Sequence, residues 1–459
     1  MIHNTLYKIT LLSSFFFLDL FLGCSIVGRM KTLEVVLTNG KPVFSWCPSP
    51  EEGAINQVKV IAGLPFVEHI AIMPDCHIGM DCPIGGVVAC NGVIVPNFVG
   101  SDGGCGMGAF RTNLTVENIK GKEEIIHQAV QRSIPMGFSH NTDKRRTEME
   151  QKYKDKIAYA LAKHLGIGKE LEYVSCSVPE IVKPEAFFDQ MGTLGSGNHF
   201  IEVQVDEQGF IWVMVHSGSR NIGKRTCDHF NKLATELNQQ WHSKSEIPFL
   251  PVTSEEGKAY LGWMNMCLDF AYYNRDAMLN EVMRNLLHYY PNMEVVTNRV
   301  IDRDVDIINI HHNYASLENH FGKNVWVHRK GATLASDKTI GIIPGSMGSF
   351  SYIVKGLGEA NSLMSCSHGA GRRMGRNAFN KEYNTPEKMK EIEDKMAGVT
   401  HTKFGKATSR SGKDLGILDL SEAPQAYKDI DSVISNECDL VKPLFKLRPL
   451  ISWKDVGEE

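Results

Sequence analysis

The sequence predicts an α+β fold organised as one large catalytic unit, and three observations carry that expectation. Strand-like runs and helical stripes are interleaved without a regular βαβ rhythm. Neither a GxxxxGK[ST] phosphate loop nor a strand-GxGxxG-helix motif occurs. No internal repeat or low-complexity linker divides the 459 residues. Length alone would leave room for roughly two to three domains of about 150 residues, but a single unit drawing its chemistry from distant segments is the simplest organisation.

Along the chain, the first segment needs its own reading. Lys8 is followed by an apolar run from Thr10 to Val27, and Leu22, Gly23 and Cys24 resemble a lipoprotein cleavage site. Asp19 interrupts that run, and Met30 opens an ordinary globular pattern with Lys31, Thr32 and Leu33. The expectation is an extension over residues 1–29, outside the fold, and a catalytic domain over residues 30–459. From Thr32 to Arg111 short apolar runs such as Ile70 to Met73 and Gly86 to Cys90, separated by Gly, Pro and Asn, read as sheet. A polar stretch, Asn141 to Glu148, leads into a helix over Met149 to Leu165, where Tyr153, Ile157, Leu161 and Leu165 recur at helical spacing. Strands are expected at Phe210 to Val215 and Ile307 to Ile310. Between them, Lys258 to Tyr290 reads as one or more long helices whose stripe of Leu261, Met264, Leu268, Tyr272 and Met278 faces a core and is broken near Asn274 and Asp276.

Composition narrows the function. With 42% hydrophobic and 22% charged residues the chain buries a large core. A net charge of −4, from 49 Lys and Arg against 53 Asp and Glu, argues against coating nucleic acid through bulk positive charge. A local basic groove is compatible with it, and charge gathers at Arg372, Arg373 and Arg376 and at Lys442, Lys446, Arg448 and Lys454; the second set reads equally as a solvated face. Eleven cysteines without repeated spacing do not describe a disulfide framework and fit a reducing compartment. Beyond the first segment, no stretch is long and apolar enough to span a bilayer.

Several segments could carry chemistry. Val99 to Gly108 is the densest glycine run and sets Asp102 three residues before Cys105, a turn able to bring carboxylate and thiol to one ion. Gly195 to Glu202 puts His199 where a glycine loop meets a strand; His216 ends a strand before a loop with hydroxyls and Arg220 for phosphate oxygens; Ile308 to Tyr314 ends a third strand in histidine. Each alone reads as readily as structure. Together, three imidazoles at strand ends with a thiol and a carboxylate suit manganese, zinc or iron better than calcium or magnesium. Finally, His368 stands in the small-residue turn Ser365 to Arg373, open to a bulky group, with a second Gly-Ser loop at Gly345 to Tyr352. A neutral imidazole there could attack phosphorus and form a phosphoramidate, or be a satisfied turn histidine.

These segments, in order from about Met30 to Lys454, resemble the RtcB family of RNA ligases. The strings that carry the likeness are MPDCHIG at Met73, SDGGCGM at Ser101, GSGNHFIE at Gly195, HSGSRNIG at His216, HHNY at His311, RKGA at Arg329, IIPGSMGSFSYIV at Ile342, SCSHGAGR at Ser365 and EAPQAYKDID at Glu422. The resemblance implies an RtcB-like domain of mixed and antiparallel sheets with surrounding helices. It implies two manganese ions held by Asp102, Cys105, His199, His216 and His312, with His312 preferred to His311 because it directly precedes an asparagine. His368 would be the guanylated nucleophile, and Asn198, Phe200, Glu202, Asn313, Ser346, Met347, Gly348, Ser351, Ala370, Gly371, Tyr427 and Lys454 would surround the GMP taken from GTP. Arg220 would contact an RNA phosphate. The implied reaction joins RNA 3′-phosphate or 2′,3′-cyclic phosphate ends to 5′-hydroxyl ends, in tRNA splicing or RNA repair and in the cytoplasm. The sequence departs from the family at Gly104, usually aliphatic, and at Met80, Asp81 and Cys82, usually a more basic glycine turn. Two alternatives keep part of this: a phosphodiesterase that only opens cyclic phosphates, against which His368 and Lys454 argue, and a non-catalytic RNA-binding protein, which would be expected to have lost a ligand or the nucleophile.

Overall fold

Two main sheets, between which the chain passes more than once, place the site. The computed structural model describes residues 31–33, 41, 43–166, 184–241, 243, 245–296, 307–408 and 414–455. The expected extension over residues 1–29 lies outside them. The first sheet runs in the order Lys31–Leu33, Val43–Ser45, Val67–His77, Ile84–Cys90, Lys323–Lys330 and Asn313–His320. The second runs Ile307–His311, Gly106–Thr115, Phe210–Ser217, Phe200–Val205, Val441–Trp453, Ser351–Gly356 and Ile340–Ile343, with Thr400–His401 added alongside Val441–Trp453. Among the described strands, pairing is antiparallel except between Val43–Ser45 and Val67–His77 and between Thr400–His401 and Val441–Trp453. With helices on its faces this is the α+β architecture the sequence predicts, with mixed sheets. No helix among the described residues is long and apolar enough to cross a membrane.

The central strand Phe210–Ser217 is buried on both faces from Ile211 onward, which explains its continuous apolar run where a half-exposed strand would alternate. One face is covered by the helix Glu255–Tyr289, which starts at Ser254, whose hydroxyl accepts the Gly257 amide at 3.0 Å. Phe110, Val213, Met278, Leu279 and Trp453 share the resulting core, and each such side chain contributes roughly 1.5–3 kcal/mol by leaving water.

Three expectations are corrected. The segment Thr32 to Arg111 is not all sheet, because Glu52–Ala62 is a helix that buries Ala54, Val58, Ile61 and Ala62 at helical spacing. The polar stretch before Met149 belongs to the helix, which begins at Asp143, since polar residues suit its exposed first turns. The buried face of the long helix is also turned from the expected stripe: Tyr272 is exposed, and Asn274 and Arg275, at the supposed break, are fully buried. A helix facing polar backbone must supply donors and acceptors there, and these two side chains do so beneath the site described below.

One buried ion cluster fixes the first sheet to the segment carrying His368. Arg329 is wholly buried, pairs through both terminal nitrogens with Glu318 at 2.5 and 3.0 Å, and donates to Ser365 Oγ and the Leu363 carbonyl at 2.9 Å each. Burial would raise the Glu318 carboxyl, but His320 and Arg329 overcome it and hold it at about 2, against 4.5 ordinarily. A depressed carboxylate contributes stability above its unfolded value and loses it as pH falls toward the folded one. Glu318→Gln should therefore lower stability at neutral pH by about 3 kcal/mol, since it leaves a buried guanidinium uncompensated, and the gap to wild type should narrow as pH falls below 4.5 toward 2. Denaturant melts over that range test this, and equal midpoints at pH 7 would exclude it.

Candidate metal centre and nucleotide pocket

The chain crosses from the second sheet to the first at one residue, His312, which lies between the strands Ile307–His311 and Asn313–His320. Its amide donates to the Cys105 carbonyl at 2.8 Å, and the Gly104 amide donates to the Asn313 carbonyl at 2.7 Å. The crossing is thereby laced to the glycine run. His199 immediately precedes the strand Phe200–Val205, and His216 stands opposite Phe200 and Met107 in adjacent strands. Three imidazoles and the thiol thus converge from two sheets and a loop.

Cys105 Sγ lies 3.4 Å from His199 Nε2 and 3.3 Å from His216 Nε2, and His216 Nε2 lies 3.3 Å from His312 Nε2. Asp102 Oδ2 is 3.0 Å from His199 Nε2. The ligand atoms of Cys105, His199 and His216 fall within 4.8 Å of one another, all buried. His199 Nδ1 contacts the Leu194 carbonyl at 3.0 Å and His216 Nδ1 the Asn198 carbonyl at 3.1 Å. A ring held this way donates from Nδ1 and turns the Nε2 lone pair inward. Burial pushes His216 and His312 well below the ordinary imidazole range, so neutral lone pairs face each other. Burial would raise Asp102, yet His199 and then Arg220 hold it low. The donor set of soft thiol, neutral imidazoles and carboxylate fits a borderline divalent cation.

The long helix supports this cluster from below. Arg275 donates to the carbonyls of Gly104 at 3.0 Å and Ser217 at 2.9 Å, while Asn274 accepts the Gly192 amide at 2.7 Å and donates to the Gly218 carbonyl at 3.2 Å. Gly104 has φ +80°, and a Cβ there would stand 2.8 Å from the Cys267 carbonyl of the helix. The departure at Gly104 therefore accompanies close approach of helix and ligand loop. At the other departure, Met80 lends its carbonyl to Lys330 at 2.5 Å, Asp81 accepts from Asn97 at 2.6 Å, and Cys82 is buried.

His368 is next to this cluster, its ring centroid 4.9 Å from that of His312. Its Nδ1 is 2.6 Å from Asp75 Oδ2, which also accepts its backbone amide at 3.1 Å. With Nδ1 engaged, Nε2 is the free nitrogen. Gly371, at φ +72°, brings the following turn onto this strand: a Cβ there would lie 2.2 Å from the Asp75 carbonyl, which excludes any larger residue.

A cavity of about 380 Å³ opens above His368 and is bordered by Asp102, Cys105, His216 and His312 on one side. Asn198, Phe200, Asn313, Ser346, Met347, Ala370, Gly371, Tyr427 and Lys454 also line it, as do Lys330, Arg372 and Arg376. Glu202, Gly348 and Ser351 stand behind the lining. Glu202 is buried against Ser452 and Gln204, Gly348 packs against Pro424 and Met396, and Ser351 Oγ accepts the Gly345 amide at 3.2 Å, bracing the loop. Asn313 serves twice, since its side chain also joins the Asp102 carbonyl to the Gly331 amide. At the far end Glu422 accepts from Lys454 at 2.6 Å, from Arg372 and Arg376 at 3.1 Å each, and from the Tyr427 hydroxyl. Burial alone would raise Glu422; Lys454, Arg376 and Arg372 hold it at about 2. Arg372, Arg376 and Lys454 are thus bound to one carboxylate, and Lys454 is buried, apart from the more exposed Lys442, Lys446 and Arg448. His311 points away, to the Gly104 carbonyl and Arg275. Arg220 lines a second cleft of about 530 Å³, with Lys224, Ser139 and His140, that shares Asp102 and Asn198 with the first cavity.

Sequence reasoning missed Asp75, Glu422, Asn274 and Arg275. Asp75 and Glu422 lie inside the strings MPDCHIG and EAPQAYKDID, and an acid within an otherwise buried segment was their signal. Asn274 and Arg275 announced themselves as the break in an apolar helical stripe.

A family profile described as "tRNA-splicing ligase RtcB" matches residues 57–455. The chain is 34% identical over 431 residues to the RNA-splicing ligase RtcB of Escherichia coli K12, covering 92% of this chain and 99% of that one. It is 30% identical over 434 residues to the tRNA-splicing ligase RtcB of Pyrobaculum aerophilum, covering 83% and 86%. With RNA-splicing ligase RtcB homolog 1 of Entamoeba histolytica the identity is 31% over 457 residues, covering 87% and 83%. Fold, site and relatives together define an enzyme of the RNA-ligase class. The chain belongs to the RtcB family.

Proposed function

We propose that the enzyme joins RNA 3′-phosphate or 2′,3′-cyclic phosphate ends to 5′-hydroxyl ends, using GTP and manganese, through GMP carried on His368. The observation that carries this reading is the pairing of His368 Nδ1 with buried Asp75 at 2.6 Å beside the cysteine-histidine cluster. A nucleophile oriented by a base partner and opening into a nucleotide-sized cavity is the arrangement covalent catalysis needs. Names of relatives as tRNA-splicing ligases favour tRNA splicing or RNA repair as the role.

In the proposed sequence, His368 Nε2 attacks the α-phosphorus of GTP and pyrophosphate leaves. An oxygen of the RNA 3′-phosphate then attacks the phosphorus of the histidine-bound GMP and frees the imidazole. The 5′-hydroxyl finally attacks the RNA phosphorus and GMP leaves, so a cyclic phosphate must first be hydrolysed to the 3′-phosphate. Asp75 holds the ring tautomer and stabilises the positive charge that develops on the imidazole. Phe200 and Tyr427 border the space for the guanosine, and Lys454, tied to Glu422, anchors its end. Arg220, in the second cleft, would contact an RNA phosphate. Asp102, Cys105, His199, His216 and His312 would hold manganese, which supplies charge neutralisation at the phosphates and lowers the pKa of an attacking hydroxyl.

Incubation with α-labelled GTP and manganese, then with RNA bearing defined ends, tests the reading. Joining of 3′-hydroxyl to 5′-phosphate ends with ATP would contradict it. A narrower test is Asp75→Asn, which keeps the shape but favours the wrong ring tautomer. Adduct formation should fall by about 10²–10⁴-fold, and an unchanged rate would remove Asp75 from the mechanism.

A further inference from the structure

Behind the nucleophile lies a second carboxyl for which the reaction above has no use. Glu437 follows the helix Ile430–Asn436 in the turn that leads to Val441–Trp453, and its side chain is fully buried. Its Oε2 accepts the Ser367 backbone amide at 2.8 Å. The next amide, that of His368, donates to Asp75 Oδ2 at 3.1 Å, and the ring Nδ1 meets the same oxygen at 2.6 Å. Two successive amides at the nucleophile are therefore gripped by two different buried carboxyls from distant parts of the chain. On its other edge the short strand Ser365–Ser367 pairs with Ala332–Leu334, Ser367 opposite Ala332. Its position is thus set by one strand, by Asp75 and by Glu437.

The charge on Glu437 follows from its surroundings. Burial pushes its carboxyl well above the usual range, and the charged groups that act on it most, Asp75 and Asp439, push the same way. Two ionised carboxylates in one dry region oppose each other strongly. A neutral Glu437 still accepts an amide through its carbonyl oxygen.

We propose that Glu437 is a positioning residue for guanylylation, holding the Ser367 amide so that the His368 ring stands correctly against Asp75. This rests on the reading of His368 as the nucleophile. Glu437 lines neither the cavity above His368 nor the second cleft, so its effect should be confined to the step in which His368 reacts with GTP.

The test compares wild type, Glu437→Gln and Glu437→Met in the full chain with manganese. Two rates are read: adduct formation from α-labelled GTP, and joining of RNA already carrying a 3′-guanylylated phosphate. Glu437→Gln keeps a neutral acceptor, so its adduct rate should stay within about 3-fold of wild type and its pH profile should superimpose. Glu437→Met keeps the volume without the acceptor, so adduct formation should fall by about 10²-fold, the cost of a small misplacement, while joining of guanylylated RNA stays within about 3-fold. Equal losses in both rates for Glu437→Met, or none, would overturn the proposal. So would a displaced acid limb or a large loss in Glu437→Gln, which stands as a test even if Glu437→Met does not fold. A wild-type chain that forms no adduct on His368 would instead remove the underlying reading.

Discussion

His368→Ala is expected to take no label from α-labelled GTP and to join no RNA ends carrying a plain 3′-phosphate, yet to seal RNA whose 3′-phosphate is already guanylylated. The expectation follows from the division of labour in the pocket. In the proposed reaction Nε2 of His368 receives the phosphorus centre, because Nδ1 is held by Asp75. The cysteine-histidine cluster beside it is assembled by other segments, with its own hydrogen bonds to Leu194 and Asn198, and does not depend on the His368 ring. Removing the ring should thus abolish the first step, an effect as large as the assay can measure, and spare the last. The fold should survive, since the backbone of the nucleophile strand is gripped through the Ser367 amide and its pairing with Ala332–Leu334. Normal labelling of the variant would end this assignment, whereas a failure to seal guanylylated RNA would show that the imidazole acts in both steps.

Cys105→Ala should have the second largest effect. The thiol is the point on which His199 and His216 converge, at 3.4 and 3.3 Å, and its loss takes away a soft donor that alanine cannot replace. Changing even the outer partners of metal ligands costs about 10–100-fold in affinity, so removal of a ligand should cost at least about 100-fold. Manganese binding by equilibrium dialysis reads this directly, and ligation should fall with it. The melting temperature of the metal-free chains should differ little, because the residue is small and its backbone bonds to Asp102 and His312 remain. Retained metal content together with retained turnover would show that Cys105 is a buried thiol and nothing more.

The histidines of the candidate site were legible because each sits in a local context that a sequence displays: a glycine loop before a strand, an apolar run that ends in an imidazole, a turn of small residues. Their partners were less legible. Asp75 and His368 are separated by almost three hundred positions, and nothing in the string MPDCHIG says which imidazole its carboxylate will meet. Glu422 reads as one acid in a charged segment, although it gathers Lys454, Arg372, Arg376 and Tyr427. The charge gathered at Arg372 and Arg376 was compatible with a local basic groove, and both residues turn out to be tied to that carboxylate. Asn274 and Arg275 read as a flaw in a helical stripe, and their purpose emerges only when the ligand loop lies against them.

By itself the sequence determined the α+β class, the family, the segments that carry thiol, imidazole and glycine, and most of the strands and helices, because periodicity and turn chemistry are local properties of the chain. It did not determine the helix Glu52–Ala62, the early start of the helix at Asp143, or which face of Glu255–Tyr289 is buried, since those depend on what each element packs against. The tertiary structure alone decided that His312 is a crossing point between the two sheets, that Glu202, Gly348 and Ser351 stand behind the cavity, and that two buried carboxyls hold the backbone at Ser367 and His368. These are all consequences of burial across long sequence separations: a charge or lone pair removed from water is fixed by whichever distant group satisfies it, and only the folded chain names that group.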